Sequence, residues 1–152
     1  MTVAAVLRQK GANVVTVAPS ATVQEIAAII TSRRIGAVVV LVEANRLGGI
    51  VSERDVVKAL AAQGEAEAAL RLTAADIMTR DVVTATPRTT VDQAMEMMDI
   101  GYFRHLPVVE DGMMVGIISI RDAVRAHIQA QAQEVDSLKD YVHRGAKADG
   151  LR

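Results

Sequence analysis

The stretch Gly116-Ile117-Ile118-Ser119-Ile120-Arg121-Asp122 has an earlier twin, Gly49-Ile50-Val51-Ser52-Glu53-Arg54-Asp55. Each reads as a short apolar strand that runs directly into a helix. Glycine lets the chain enter, β-branched residues make the strand, and serine ends it as a good N-cap. An aspartate three residues later falls at the third helical position, where it can bond back to the cap. The same device twice in 152 residues points to two copies of one unit.

The segments outside the twins repeat as well. Thr2 to Lys10 reads as a short amphipathic helix stopped by Gly11. Val14 to Val17 reads as a strand, broken by Pro19. Thr22 caps a helix with Val23, Ile26, Ile29 and Ile30 at helical spacing. Ala37 to Val42 is a β-branched run suited to a strand buried on both faces. After a turn at Glu43 to Arg46, Leu47 to Val51 returns. From Asp76 the order starts again, with a strand at Val82 to Thr84, then Pro87 and a helix capped by Thr90. A strand at His105 to Val109, a turn, and a returning strand at Met113 to Ile118 follow. Pro19 recurs as Pro87 and Thr22 as Thr90, 68 residues on, whereas Asp55 recurs as Asp122, 67 residues on, so the second hairpin turn is one residue shorter.

The unit is therefore β-α-β-β-α, and the fold class is α/β of the α+β kind. The expected divisions are repeat 1 over 1–62, a helical linker over 63–75, repeat 2 over 76–130 and a tail over 131–152. A short helix is expected in the tail around Ser137 to Val142, with fraying beyond Gly145. One copy is too small to cover both faces of its sheet, so the two should pack together with pseudo-twofold symmetry. Any cleft between them then comes as a related pair.

Bulk properties narrow the function. Hydrophobic residues make up 51% of the chain, enough for a sizeable core. Aromatic residues are limited to Tyr102, Phe103 and Tyr141, and the net charge is -1, so neither base stacking nor a basic face argues for nucleic acid. No apolar run reaches the roughly 18–20 residues that span a bilayer. Cysteine is absent, which excludes disulfides and thiolate metal sites and suits a reducing cytoplasm. The histidines are scattered, no G-x-S-x-G elbow or P-loop is present, and Gly48-Gly49 reads as part of a hairpin. No enzyme is expected.

The repeated β-α-β-β-α unit, the proline followed by a Thr-capped helix, and the closing Gly-h-h-Ser-x-x-Asp motif resemble a tandem pair of CBS domains, the module named after cystathionine β-synthase. Asp76-Ile77-Met78-Thr79 and Arg104-His105-Leu106-Pro107-Val108 resemble the family too. The resemblance covers about Val3 to Ile128 and is that of a stand-alone bacterial pair. It implies an adenosyl ligand between the repeats: AMP, ADP, ATP, NAD(H) or S-adenosylmethionine. It also implies a homodimer that regulates an enzyme or transporter.

Candidate site residues follow from both readings. Asp55 and Asp122 can accept both ribose hydroxyls while Ser52 and Ser119 face phosphate; the same residues can also act as helix caps alone. Arg54 and Arg121 sit at the second helical position, where a cation opposes the helix dipole unless an anion arrives. The resemblance places Arg104 and His105 near phosphate, and Arg104 can clamp it bidentately. The matching Gly36 and Ala37 of the first copy carry no charge, so the copy with Ser119 and Asp122 is expected to be the better site. Thr16 and Thr84 are candidates for base or phosphate contacts. Val17, Ile35, Ala37, Ala85, Phe103 and Leu106 are candidate apolar walls. The competing function is a ligand-independent structural or dimerisation module.

Overall fold

The computed structural model describes residues 1–150, with side chains through residue 146. In chain order its elements are α1 (Val3–Lys10), β1 (Thr16–Val17), α2 (Val23–Arg33), β2 (Ala37–Val42), β3 (Arg46–Ser52), α3 (Glu53–Gln63), α4 (Ala66–Arg71), α5 (Ala74–Ile77), α6 (Val91–Gly101), β4 (His105–Glu110), β5 (Met113–Ser119) and α7 (Ile120–Gly150). The expected α+β repeat is observed.

The first sheet has the order β1-β2-β3, with β1 parallel and β3 antiparallel to β2. The second pairs β4 with β5 in the same antiparallel way. Both hairpins carry a bulge at the matching place, between Val40 and Leu41 and between Val108 and Val109. The strand expected at Val82 to Thr84 is reduced to a single parallel bridge, Ala85 to Val108, the counterpart of Val17 to Val40. The cause is Pro107. In the first unit Val39 N–H donates to the Val15 carbonyl at 3.1 Å. Pro107 stands where Val39 does and has no N–H to give.

The helices start where hydroxyl caps place them. Thr22 accepts from Glu25 N–H at 3.2 Å, and Glu25 Oε2 accepts from Thr22 N–H at 3.0 Å. Thr90 and Gln93 repeat this box. Both helices end on a non-glycine residue in the left-handed region, Arg34 (φ 53°) and Tyr102 (φ 57°).

The short helices cross over between the units. α1 precedes the first sheet in the chain, yet Val3 and Val6 are buried with Ala94, Leu106 and Ile118 of the second core. α5 precedes the second sheet, yet Ala74 is buried with Ile26, Val38 and Val51 of the first. Matching bridges hold the two crossings, Thr2 with Thr90 and Thr22 with Thr73. Val3 N–H donates to Thr89 O at 2.8 Å, and Ala74 N–H to Ala21 O at 2.7 Å.

Residues 63–75 are largely helical, as expected, and they are packed: Ala69 of α4 is fully buried. The tail differs from its expectation. Ser137 to Val142 belong to α7, one continuous helix of 31 residues from Ile120. Fraying is expected from Gly145 to Arg152, but Gly145 to Gly150 continue α7; Leu151 and Arg152 lie outside the described residues. Among the described residues no helix is long and apolar enough to cross a membrane.

Candidate functional site: two crossed clefts

Two clefts lie between the units. The first, about 220 Å³, is lined by Ser52, Arg54 and Asp55 of one unit and by Tyr102, Phe103, Arg104 and His105 of the other. The second, about 400 Å³, is lined by Ser119, Arg121 and Asp122 together with Arg34, Ile35, Gly36 and Ala37. Arg104 and His105 also line this second cleft. Its volume is within the range of small-molecule sites.

Each cleft therefore joins the closing motif of one repeat to the strand start of the other. This corrects the expectation that Arg104 and His105 serve the Ser119–Asp122 site alone. The reason is that the two strand starts meet at the pseudo-twofold axis. A Cβ at Gly36 would lie 2.7 Å from His105 Cε1, so only glycine leaves room there for the imidazole. Glu53 N–H donates to Gly36 O at 3.0 Å, and Ile120 N–H to Arg104 O at 2.8 Å, which fixes each helix start against its own strand.

Five candidates fall outside both linings. Thr16 and Thr84 are exposed at the strand ends. Leu106 is fully buried in the second core, pointing away from the clefts. Val17 and Ala85, the other suggested walls, are likewise core residues. Sequence reasoning missed Lys10, Arg34, Glu53 and Lys58. Their charges lie in the clefts because α1, α2 and α3 place them there; Glu53 stands within the twin motif, but nothing in its spacing aims it at the other repeat's cleft.

Both caps are formed. Asp55 Oδ2 accepts from Ser52 N–H at 2.8 Å and from Ser52 Oγ at 3.0 Å. Asp122 Oδ2 accepts from Ser119 N–H at 2.9 Å, and Asp122 N–H donates to Ser119 Oγ at 3.1 Å. Oδ1 of each carboxylate accepts no hydrogen bond among the described residues. Capping therefore leaves half of each carboxylate open.

The two clefts differ in charge. Lys10, Arg34, Arg104 and Arg121 line the second against Glu53 and Asp122. Arg54, Lys58 and Arg104 line the first against Asp55 and Asp81. Arg54 Nη1 donates to Tyr102 O at 2.7 Å across the units. In the second cleft Arg121 matches Arg54 and Arg34 matches Tyr102, so two cations stand where the first cleft has one. Burial works to raise the Asp122 carboxyl, but bonds from Lys10 and Ser119 outweigh it and hold the group below the usual range. Burial lowers the His105 imidazole, with Arg104 adding to the effect against the pull of Glu53 and Asp122. Among the described residues no cluster of His, Asp or Glu has the grouping of a metal site.

The CBS domain family matches the chain twice, over residues 4–62 and 74–128. A mitochondrial CBS domain-containing protein of Arabidopsis thaliana is 35% identical over 128 residues, 82% of this chain; the chain spans 61% of that relative's length. The crystal structure of the CBS-domain protein ATU1752 from Agrobacterium tumefaciens superposes with a TM-score of 0.79 at 44% identity, covering 84% of this chain and 99% of that one. A CBS domain protein from Pyrobaculum aerophilum, solved with AMP, gives 0.70 at 30% identity, covering 80% and 89%. The CBS pair of MJ0100, solved with 5'-methylthioadenosine and S-adenosylmethionine, gives 0.73 at 28% identity, covering 86% and 98%.

Proposed function

The chain belongs to the CBS-domain family as a tandem pair, and from that premise we propose that it is a non-catalytic regulatory module that senses an adenosyl ligand. AMP is the first candidate; ADP, ATP, NAD(H) and S-adenosylmethionine are the others. The observation that carries the reading is the pair of half-open carboxylates, Asp55 and Asp122, each in a cleft edged by arginines. A carboxylate with a free oxygen suits a ribose diol, and a guanidinium suits phosphate. Structures of similar proteins hold AMP, 5'-methylthioadenosine and S-adenosylmethionine. Repeat 1 over 1–62 and repeat 2 over 76–130 would respond together, because each cleft has walls from both. Ligand then biases how the units pack, which is the differential binding that regulation needs. The module would act as a cytoplasmic homodimer on a separate enzyme or transporter.

A second reading has its own support. Both Ser/Asp pairs close as caps within the chain itself, which is all that a structural or dimerisation module requires. Thermal melts with AMP, ADP, ATP, NADH and S-adenosylmethionine separate the two. A ligand at 100 times its Kd adds about 2.7 kcal/mol of stability and raises Tm by several degrees. At least one of the five is expected to do so. No shift across the panel at millimolar ligand would leave the structural module standing.

A further inference from the structure

Lys10 reaches into the second cleft from the exchanged helix α1. Its Nζ donates to Asp122 Oδ2 at 2.7 Å and to Ile117 O at 2.9 Å. Gly11 (φ 94°) ends α1 immediately afterwards, its N–H bonded to Leu7 O at 2.8 Å. Among the described residues no cation bonds Asp55 in the first cleft. There the carbonyl matching Ile117 is that of Ile50, and it accepts the backbone N–H of Thr79 at 2.9 Å.

The consequence falls on Asp122. Its Oδ2 already accepts from Ser119 N–H, so with Lys10 both of that oxygen's lone-pair directions are used. A ribose diol that engages both carboxylate oxygens must displace the ammonium. Lys10 and Asp122 side chains are only 31% and 20% exposed, so water does not readily take over the pairing. The displaced charge is left beside Arg34, Arg104 and Arg121. Among the described residues Glu53 is the one further carboxylate in the lining, against three guanidinium groups, so a ligand that brings negative charge compensates the ammonium best. In the first cleft, Asp55 Oδ2 is held by Ser52 alone, whose hydroxyl can rotate away at little cost.

We propose that the second cleft selects adenosyl ligands that carry a phosphate, with Lys10 as the residue that enforces the choice by moving from Asp122 to the phosphate. The first cleft has no equivalent filter and takes uncharged adenosyl ligands as well. This rests on Asp122 being a ribose acceptor, as in the proposed function.

Titration calorimetry of the full chain with AMP and with adenosine tests it, in an Asp55→Ala background that removes the ribose acceptor of the first cleft. AMP is expected to bind about tenfold or more tightly than adenosine. Adding Lys10→Met should narrow the preference several-fold, chiefly by strengthening adenosine, because Arg34, Arg104 and Arg121 still attract phosphate, while Lys10→Arg should keep it in full. Lys10→Gln, which retains a donor for Ile117 O without the charge, gives the same reading if the methionine variant folds poorly. An AMP preference left undiminished by both neutral substitutions overturns the inference. So does an Asp55→Ala chain that binds neither ligand while the unsubstituted chain binds AMP, an outcome that leaves the proposed function in place at the first cleft. An unsubstituted chain that binds no adenosyl ligand removes the proposed function itself.

Discussion

His105 stands between the two clefts and is the residue on which pH acts most directly. Burial holds its imidazole below the ordinary value of 6.5, with Arg104 and Lys10 on the same side and Glu53 and Asp122 opposing. In the folded chain it is neutral where the unfolded chain would already bind a proton. Stability is therefore full above about pH 6.5 and falls as pH drops through the folded value. Chemical denaturation at pH 7.5, 6.5 and 5.5 should show this decline, and His105→Gln should flatten it; an equal slope in both proteins would assign the decline to another group. At this scale the sequence was legible in part. Ser52, Asp55, Ser119 and Asp122 announce themselves through spacing, because a cap is a local event. Lys10 does not. Its partner lies 112 positions away, and no local pattern marks a contact that distant. Leu106 was misplaced for a related reason: alternation along a strand does not reveal which face meets the cleft.

Among elements, the two glycines that open the twin stretches do different work. A Cβ at Gly49 would meet Met78 Sδ at 2.6 Å and the Thr79 backbone carbonyl at 2.9 Å. The atoms nearest a Cβ at Gly116 belong to the Leu7 side chain, its two methyls at 2.8 Å. The first obstacle includes backbone held in a two-bond bridge to Ile50, while the second is the tip of a flexible side chain. Gly49→Ala should therefore cost about 1–3 kcal/mol and Gly116→Ala distinctly less, as read from urea denaturation. Equal costs would mean that Leu7 cannot move aside. The elements themselves were largely readable, since apolar period and hydroxyl caps are local signals. The lost strand at Val82 to Thr84 was not, although its cause was in plain view. Pro107 removes a donor from a neighbouring strand, and that effect appears only once the pairing is known.

For the whole molecule, the exchange of α1 and α5 makes each core depend on residues from the other side of the chain's midpoint. The halves should not melt separately. One cooperative transition is expected by circular dichroism and by tryptophan-free probes such as amide exchange. Val6→Ala, roughly 2 kcal/mol destabilising, should loosen β4 and β5 rather than β2 and β3 when hydrogen exchange is followed residue by residue. Two resolved transitions, or loosening confined to the first sheet, would contradict this coupling. The repeat register made the pseudo-twofold fold legible from sequence. The exchange was not legible, because the short apolar faces of α1 and α5 would suit either core.

That exchange also bears on how the chain leaves the ribosome. The first core has all its parts once Thr79 has emerged, and it can close while synthesis continues. α1 was made earliest, but its burial partners extend to Ala126 of α7. At about 5–20 residues/s the stretch from Lys10 to Ala126 takes roughly 6–23 s to make. Throughout that interval the nascent chain carries a helix with Val3, Val6 and Leu7 uncovered, a natural landing place for a chaperone. Only when α7 has been made as far as Ala126 is that helix covered.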